Sequence, residues 1–493
     1  MNAAAFRHRT SRLAWLLMIV PAIVYVATAV LDMGNDGGMM YRVTESLVLR
    51  HSFHVTDPFF HIQQPFSNYG LGVSLALIPL FSIGWLLFHD GTRLIVLFDP
   101  LVTAGTVVAL SRLLLALGAT YRRSVALSLL FAFGSLAWFY SGQLFSEPLT
   151  ALALTLAVLW SVRYRQSGRR QWLAASGAAV AVSELARPDS ILLVALPLTA
   201  YIAFVVVRRQ GWRWPAAIDL MVYGSCAGVG LVADLWYNWL RYGNPVNNGY
   251  PIEFSTPLLQ GLYGLLFSPG AGLFVFVPFL LLSSFGARRF FRQWRPEAAL
   301  TLAIVGGRIL FYAGWWGWDG GGGSWGPRYL LPIVPMLAVS LLFLPNTYLM
   351  RVALVAAGAL GVGVETLGQL VPYHLYYTSV SGELSAMLHL PACTTCGVVS
   401  VRAIEAMKGV LDYDWHYAPL LGQARMLLRG DLAPVWLIRP ERAVVIPIAL
   451  YALVRGVPDM LRSSARLDAS PGPDEASSPT ANGPQTGSDP LVA

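Results

Sequence analysis

Residues 71–88 read LGVSLALIPLFSIGWLLF, an uncharged stretch that as a helix runs close to the roughly 30 Å of a bilayer's hydrocarbon core. Its reading decides the topology, because every later crossing takes its direction from it. If it crosses, the loop with Arg122 and Arg123 falls outside, and all later basic clusters follow it there. If it stays on one side, Arg122/Arg123, Arg163/Arg165/Arg169/Arg170, Arg208/Arg209/Arg213 and Arg288/Arg289/Arg292/Arg295 share a face with the N-terminal Arg7, Arg9 and Arg12. Basic loops belong on the cytoplasmic face. Residues 71–88 are therefore expected to form an interfacial or re-entrant helix inside a large first outer loop, 32–93.

Outward from that stretch, apolar blocks of membrane-spanning length lie near 13–31, 94–117, 124–140, 148–163, 172–186, 189–207, 216–236, 268–285, 297–313, 329–346, 352–370 and 442–457. Composition agrees. Apolar residues make up 56% of the 493-residue chain and charged residues 12%, about half the charged share of soluble domains. The expected fold is an all-α integral membrane protein with about 12 transmembrane helices. The chain is expected to divide into a transmembrane core (1–370), an outer loop region of unassigned role (371–441), a last transmembrane helix (442–464) and a polar Ser/Pro/Gly/Asp-rich tail (465–493) disordered on the cytoplasmic side.

The net charge of +8 does not point to nucleic acid. Lys408 is the only lysine, and the arginines sit between apolar blocks rather than in a stripe interleaved with stacking aromatics. The arginines before residue 13, with Ala27-Thr28-Ala29 beyond, resemble a secretory signal, but the intervening block is long enough to remain as an anchor. Cys226 lies in an apolar block as a packing residue. Cys393 and Cys396 form a single C-x-x-C without the second pair that structural zinc needs, and a local disulfide is the expectation. His51, His54 and His61 do not have the spacing of a ligand set.

Polar residues at membrane depth are costly, and here they gather at the outer ends of helices. Asp36 stands among glycines in Gly34-Asn35-Asp36-Gly37-Gly38, followed by Tyr41, Arg42 and Glu45. An approachable carboxylate there can take a proton from a hydroxyl, or simply cap an interfacial helix. Glu147-Pro148 opens a helix, or offers a second carboxylate to the same cavity. Arg187 pairs with Asp189 or Glu184, or holds an anionic substrate group. Residues 315–329 carry Trp315, Trp316, Trp318, four glycines, Trp325, Arg328 and Tyr329. An aromatic belt with a snorkelling arginine explains the tryptophans and Arg328 but not the glycines; a phosphate cradle explains both. Tyr237-Asn238-Trp239-Leu240-Arg241-Tyr242-Gly243-Asn244-Pro245 and Leu266-Phe267-Ser268-Pro269-Gly270 are loop-like and either line a sugar groove or anchor the interface.

These pieces resemble the GT-C membrane glycosyltransferases, with glycosyltransferase family 39, the protein O-mannosyltransferases and the lipid A aminoarabinose transferases as nearest relatives. The resemblance is carried by Asp36-Gly37-Gly38-Met39-Met40-Tyr41-Arg42, Tyr69-Gly70-Leu71-Gly72, Phe145-Ser146-Glu147-Pro148-Leu149, Arg187-Pro188-Asp189-Ser190 and Trp325-Gly326-Pro327-Arg328-Tyr329-Leu330-Leu331-Pro332, across residues 10–345. It implies a GT-C-like bundle with juxtamembrane helices in the first outer loop, in a bacterial inner membrane with the site outside. The donor it implies is a polyprenyl-phosphate-linked sugar, and the acceptor a lipid, glycan or protein. Asp36 would be the catalytic base and Glu147 a second acidic site residue. Arg328 and Arg187 would hold the departing phosphate, and Tyr41, Arg42, Tyr69, Asn238 and Trp325 would line the substrate groove. Members often carry paired acids where Asp36 is followed by Gly37, and Asp where Glu147 stands; a divalent cation, magnesium or manganese, held by Asp36 and Glu147 therefore stays open. A transporter of lipid-linked sugars is the main rival, with Asp234 and Arg308 as its intramembrane charges. A non-catalytic assembly subunit is the other.

Overall fold

The computed structural model describes residues 3–29, 34–55, 65–249, 253–320, 324–388 and 401–430. The expected helix at 442–457, the polar tail, Cys393, Cys396 and His61 lie outside the described residues. No β-strand occurs among those described.

Helices account for almost everything. The first part of the chain forms α1 (Ala3–Thr28), α2 (Gly34–Arg50), α3 (Leu71–Phe88), α4 (Thr92–Ile95), α5 (Phe98–Ala116), α6 (Tyr121–Gly134) and α7 (Ala137–Tyr140). The middle forms α8 (Ser146–Ser167), α9 (Arg170–Ala186), α10 (Leu196–Gln210) and α11 (Trp214–Tyr242). Then come α12 (Leu258–Phe267), α13 (Leu273–Phe276), α14 (Ser283–Gln293), α15 (Arg295–Gly314), α16 (Val334–Ser340), α17 (Tyr348–Leu370), α18 (Tyr373–Met387), α19 (Val401–Tyr413) and α20 (Pro419–Arg429). Six segments are long and apolar enough to cross a bilayer: Leu71–Phe88, Thr92–Ala116, Ile191–Gln210, Trp214–Tyr242, Arg295–Gly314 and Tyr348–Leu370.

The remaining passes are broken or more polar, and proline explains most of the breaks. The block expected as one helix at 268–285 is instead α13, a 3-10 segment Pro278–Leu282 and α14. Pro278 removes one N–H and its ring crowds the preceding turn. The block at 329–346 begins as a 3-10 segment, Arg328–Ile333, around Pro332, with Pro335 next in line. Ile191–Ala195 opens into a π turn just before Pro197. The block at 124–140 ends early at Gly134, and α7 is a separate turn. The supposed loop residues Tyr237, Asn238 and Trp239 are the last turns of α11, which stops at Gly243 with φ of +66°.

Polar contacts fix which ends lie together. At one end, Gln166 at the foot of α8 donates to the Ala116 carbonyl, Arg170 and Gln210 meet Asp219, and Arg165 pairs with Glu297. Arg165, Arg170 and Arg209 of the basic clusters, on the facing ends of α8, α9 and α10, are among the residues that meet here. At the other end, the Phe145 N–H donates to Asp99, Arg187 meets Glu147, and Arg241 donates to the Ser67 carbonyl. We call these the basic end and the site end.

Both neighbours of α3 are at the site end. Its start packs on the end of α9, where a Cβ on Gly72 would lie 2.5 Å from the Ala186 nitrogen. Past its end the chain reverses at once, with Gly91 against the Phe81 ring, and α5 starts at the site end through Asp99. Ile95 and Phe98 pack back on Val73, Leu77 and Phe81. Residues 89–97 lead from Phe88 to Phe98, four of them helical in α4, so the return is short and stays against α3. The start of α3, a helix of spanning length, lies with α2 at the site end; Thr44 and Ser74 tie the two together. Bulky replacement of Gly72, such as Gly72→Val, should push α3 off Ala186 and cost roughly 1–3 kcal/mol. A thermal unfolding midpoint in detergent equal to wild type would contradict that packing.

The described residues beyond 371, through 388 and from 401 to 430, are mostly helical rather than a loop. Helices α18 and α19 bury Tyr376, Leu384, Met407 and Leu411 in a small core of their own, which α20 borders through Met426. They dock on the site end: the Gly270 N–H donates to the Asp412 carbonyl, and Lys408 pairs with Asp319 at 3.2 Å. Burial and the neighbouring Asp319 push the Asp412 carboxyl up, against the pull of Lys408.

Candidate functional site

Three carboxylates and three guanidiniums alternate across the site end. Asp36, in the first turn of α2, meets Arg328 Nη1 through Oδ2 at 2.9 Å. Arg328 Nε lies 3.4 Å from Glu147 Oε1, which also accepts from Arg187 Nη1 at 2.6 Å. Arg187 Nε reaches Asp189 at 3.3 Å, and Arg308 Nη2 lies 3.1 Å from the other Asp189 oxygen. The ladder is most exposed at Asp36 and wholly buried at Arg308, with Arg187 at 16% and Asp189 at 11% between them. Asp36 is 24% exposed, Arg328 8%, Glu147 1% and Arg308 0%.

Local structure explains why each rung is where it is. Pro148 suits the first turn of α8, and Glu147 there faces the helix's positive end. Asp99 accepts from the Phe145 N–H and so sets the start of that helix. The turn after Ala186 carries Arg187 and Asp189 together because Pro188 bars continuation of α9. Gly320 adopts φ of +91°, open mainly to glycine, and its carbonyl accepts from Arg328 Nη2 at 3.3 Å. One function of the glycine run is thus to bend a carbonyl onto Arg328. Gly321–Gly323 lie outside the described residues.

Tyrosines bind the ladder into one unit. The Tyr69 hydroxyl donates to Asp36 Oδ1 at 2.6 Å, and Arg328 Nη2 donates to the Tyr329 hydroxyl at 3.0 Å. Arg187 and Arg328 both lie 4.9 Å from the Tyr329 ring centroid, and Phe145 covers Arg328 at 4.6 Å. Tyr329 stacks on Tyr312 at 4.7 Å. Arg187 Nη2 donates to the Tyr312 hydroxyl, which donates in turn to Asp189. Arg308 Nε donates to the Tyr329 carbonyl at 2.6 Å.

Of the residues expected from sequence, Asp36, Glu147, Arg187, Arg328 and Tyr69 come together in space. The others are placed differently. Trp325 is fully buried; its Nε1–H donates to Glu365 and its ring stacks on Phe139, so no face of it lines a groove. Asn238 is also buried, with its amide engaged by Asp234, Arg241 and the Pro245 carbonyl. Arg241 carries that network on to the carbonyls of Ser67 and Tyr69, so Asn238 braces the loop behind Asp36. Tyr41 is part-buried beside Glu45 and Phe81, and Arg42 follows it on α2. Arg187 takes Glu147 and Asp189 as partners, whereas Glu184 faces α11 beside Gly230. Trp315 packs on Tyr312 and Tyr329, and Trp316 lies 5.5 Å from the Lys408 ammonium; both are built into the site end.

Sequence reasoning left Arg308 to the transporter reading and did not single out Tyr312. A signal was present: the two are i, i+4 on one helix, so they share a face, and a charge inside an apolar helix implies a buried partner.

Asp36 and Glu147 do not fit a divalent cation in this arrangement. Both already face Arg328, and no group of three His, Cys, Asp or Glu with metal-holding geometry occurs among the described residues.

Fold and site thus define a multi-pass helical membrane protein with a charge-balanced ion cluster at the end opposite its basic loops. No protein-family model and no curated protein matches the chain. Among solved structures it is similar to ArnT from Cupriavidus metallidurans bound to undecaprenyl phosphate, at 15% identity over 94% of this chain and 78% of that one, TM-score 0.44. It is also similar to the oligosaccharyltransferase from Archaeoglobus fulgidus in the apo form, at 11% identity over 78% of this chain, TM-score 0.49. A third similar structure is the archaeal oligosaccharyltransferase AglB from that organism, in complex with an inhibitory peptide and a dolichol-phosphate, at 12% identity over 84% of this chain, TM-score 0.45. The chain spans 60% and 55% of the lengths of these two archaeal structures. ArnT and AglB are GT-C glycosyltransferases.

Proposed function

We propose that this chain is an inverting glycosyltransferase that moves a sugar from a polyprenyl-phosphate donor to an acceptor hydroxyl at the outer face of a bacterial inner membrane. The observation that carries the reading is the direct contact of Arg328 with both Asp36 and Glu147 at the site end. A carboxylate able to take a proton and a cation able to hold a phosphate are adjacent, at the mouth of a ladder whose deeper members are shielded from water. The basic loops at the opposite end support an outward-facing site.

In this reading the donor's lipid tail stays in the bilayer while its phosphate meets Arg328 and Arg187. Asp36 accepts the acceptor's hydroxyl proton as the oxygen attacks the anomeric carbon. The bond from that carbon to the phosphate oxygen breaks, and its electron pair leaves on the phosphate. Attack opposite the leaving group inverts the anomeric configuration. Charge that develops on the phosphate is met by fixed guanidiniums in a water-poor site, where such stabilisation is strongest. Glu147 orients both arginines, and Tyr69 holds Asp36. Helix α19 is tied to the Gly320 turn beside this site through Lys408 and Asp319. The acceptor is a lipid, a glycan or a protein.

The test is transfer of label from a panel of radiolabelled polyprenyl-phosphate sugars into membrane extract, by wild type and by Asp36→Asn. Wild type should transfer and Asp36→Asn should fall by at least about 100-fold, the contribution of a positioned base. Equal transfer by both would discard Asp36 as the base. No transfer by folded wild type with any donor would favour a transporter instead.

A further inference from the structure

The ladder is charge-balanced yet short of acceptors. Arg308 Nη1 and Nη2 and Arg328 Nε are buried and make no hydrogen bond among the described residues, although ion-pair partners lie near two of them. Leaving buried guanidinium N–H groups without acceptors is costly. The arrangement therefore has room in its donor inventory for a further anion but none in its charge balance. Three carboxylates already offset three arginines, and another negative charge in a buried site is strongly disfavoured unless one leaves.

One member can leave at low cost. Asp36 is 24% exposed, whereas Asp189 is 11% and Glu147 1% exposed. Its partner, Arg328, is the one arginine of the three that pairs with this most exposed carboxylate. Its other oxygen is held by the Tyr69 hydroxyl, so release from Arg328 leaves the carboxylate tethered at the mouth.

We propose that Asp36 occupies Arg328 as a built-in competitor of the donor phosphate. Phosphate binding exchanges one anion for the other on Arg328 and sets Asp36 free as the base. This rests on the transferase reading above and adds an order of events to it. Without donor the base is neutralised by its own ion pair, so an acceptor that arrives first meets a poor base. With donor bound, Arg328 is saturated and Asp36 faces the hydroxyl. The exchange keeps the buried charge balanced throughout, which simple addition of a phosphate would not.

The distinguishing measurement is binding of undecaprenyl phosphate to the full chain in detergent, read by titration and by the ligand-induced shift in thermal unfolding. Asp36→Asn removes the competing charge with little change of shape and should bind about tenfold more tightly than wild type, although it is inactive in transfer. Arg328→Gln should lose most binding. Equal or weaker binding by Asp36→Asn than by wild type overturns the exchange while leaving the transferase reading intact. Absence of binding and of transfer in wild type overturns both. Should Asp36→Asn fail to fold, Asp36→Ser is judged by the same rule.

Discussion

Arg328→Gln is expected to lower sugar transfer on the order of 1,000-fold, the upper range for losing one preorganised donor to a developing oxyanion. Glutamine keeps a similar length and some hydrogen bonding but removes the charge and the planar fork. Arg328 donates to Asp36, the Gly320 carbonyl and the Tyr329 hydroxyl, and lies between the rings of Phe145 and Tyr329. A lysine restores charge but neither the fork nor the stacking, so Arg328→Lys should recover only part of the loss. Single-turnover rates separate the effects: a leaving-group role slows the chemical step at saturating donor, whereas a scaffold role lowers the unfolding midpoint and leaves the rate of the folded fraction unchanged. Arg328→Gln with transfer within about threefold of wild type would remove Arg328 from the chemistry.

The second large effect is on stability. Arg308 is wholly buried in α15, where it donates to the Tyr329 carbonyl and faces Asp189. Arg308→Met preserves bulk but strips Asp189 of one cation and orphans a buried carbonyl. Breaking one side of a buried pair costs about 3–5 kcal/mol, a large share of the 5–15 kcal/mol that holds a typical domain. Arg308→Met should therefore unfold at a clearly lower temperature in detergent and accumulate poorly. Adding Asp189→Leu should restore part of the loss, because both charges are then gone. Restoration is partial because Asp189 also serves Arg187 and Tyr312. If Arg308→Met unfolds at the wild-type temperature, the inner half of the ladder contributes little to stability.

Much of the architecture was legible from residue order because bilayer physics simplifies the problem. An apolar block of sufficient length becomes a helix with its own hydrogen bonds satisfied, and arginine placement orients it. The parity argument at residues 71–88 used nothing else; in the structure that segment is one helix of spanning length whose start packs at the site end. Departures arose where proline overrode hydropathy, at Pro278 and Pro332, and where loop-like composition concealed helix, at Tyr237–Trp239 and in the described residues beyond 371. Hydropathy records what a residue costs in lipid; it carries no information on whether its N–H is free or its neighbours bury it.

For the site, residue type and position made Asp36, Glu147, Arg187 and Arg328 candidates, each a charge at a helix end in an otherwise apolar chain, and the GT-C resemblance chose them over capping and snorkelling readings. Their pairing was not readable. Arg187 had Glu184, Asp189 and an external anion as equal candidates, and the choice of Glu147 depends on how α8 and α9 pack. Trp325 looked like a groove residue because tryptophan favours interfaces, yet neighbours from α7, α13 and α17 enclose it. Charge cost depends on local sequence and can be summed along the chain. Which opposite charge meets it depends on contacts between helices distant in sequence, such as the 292 residues that separate Asp36 from Arg328. Those contacts exist only once the helices are packed.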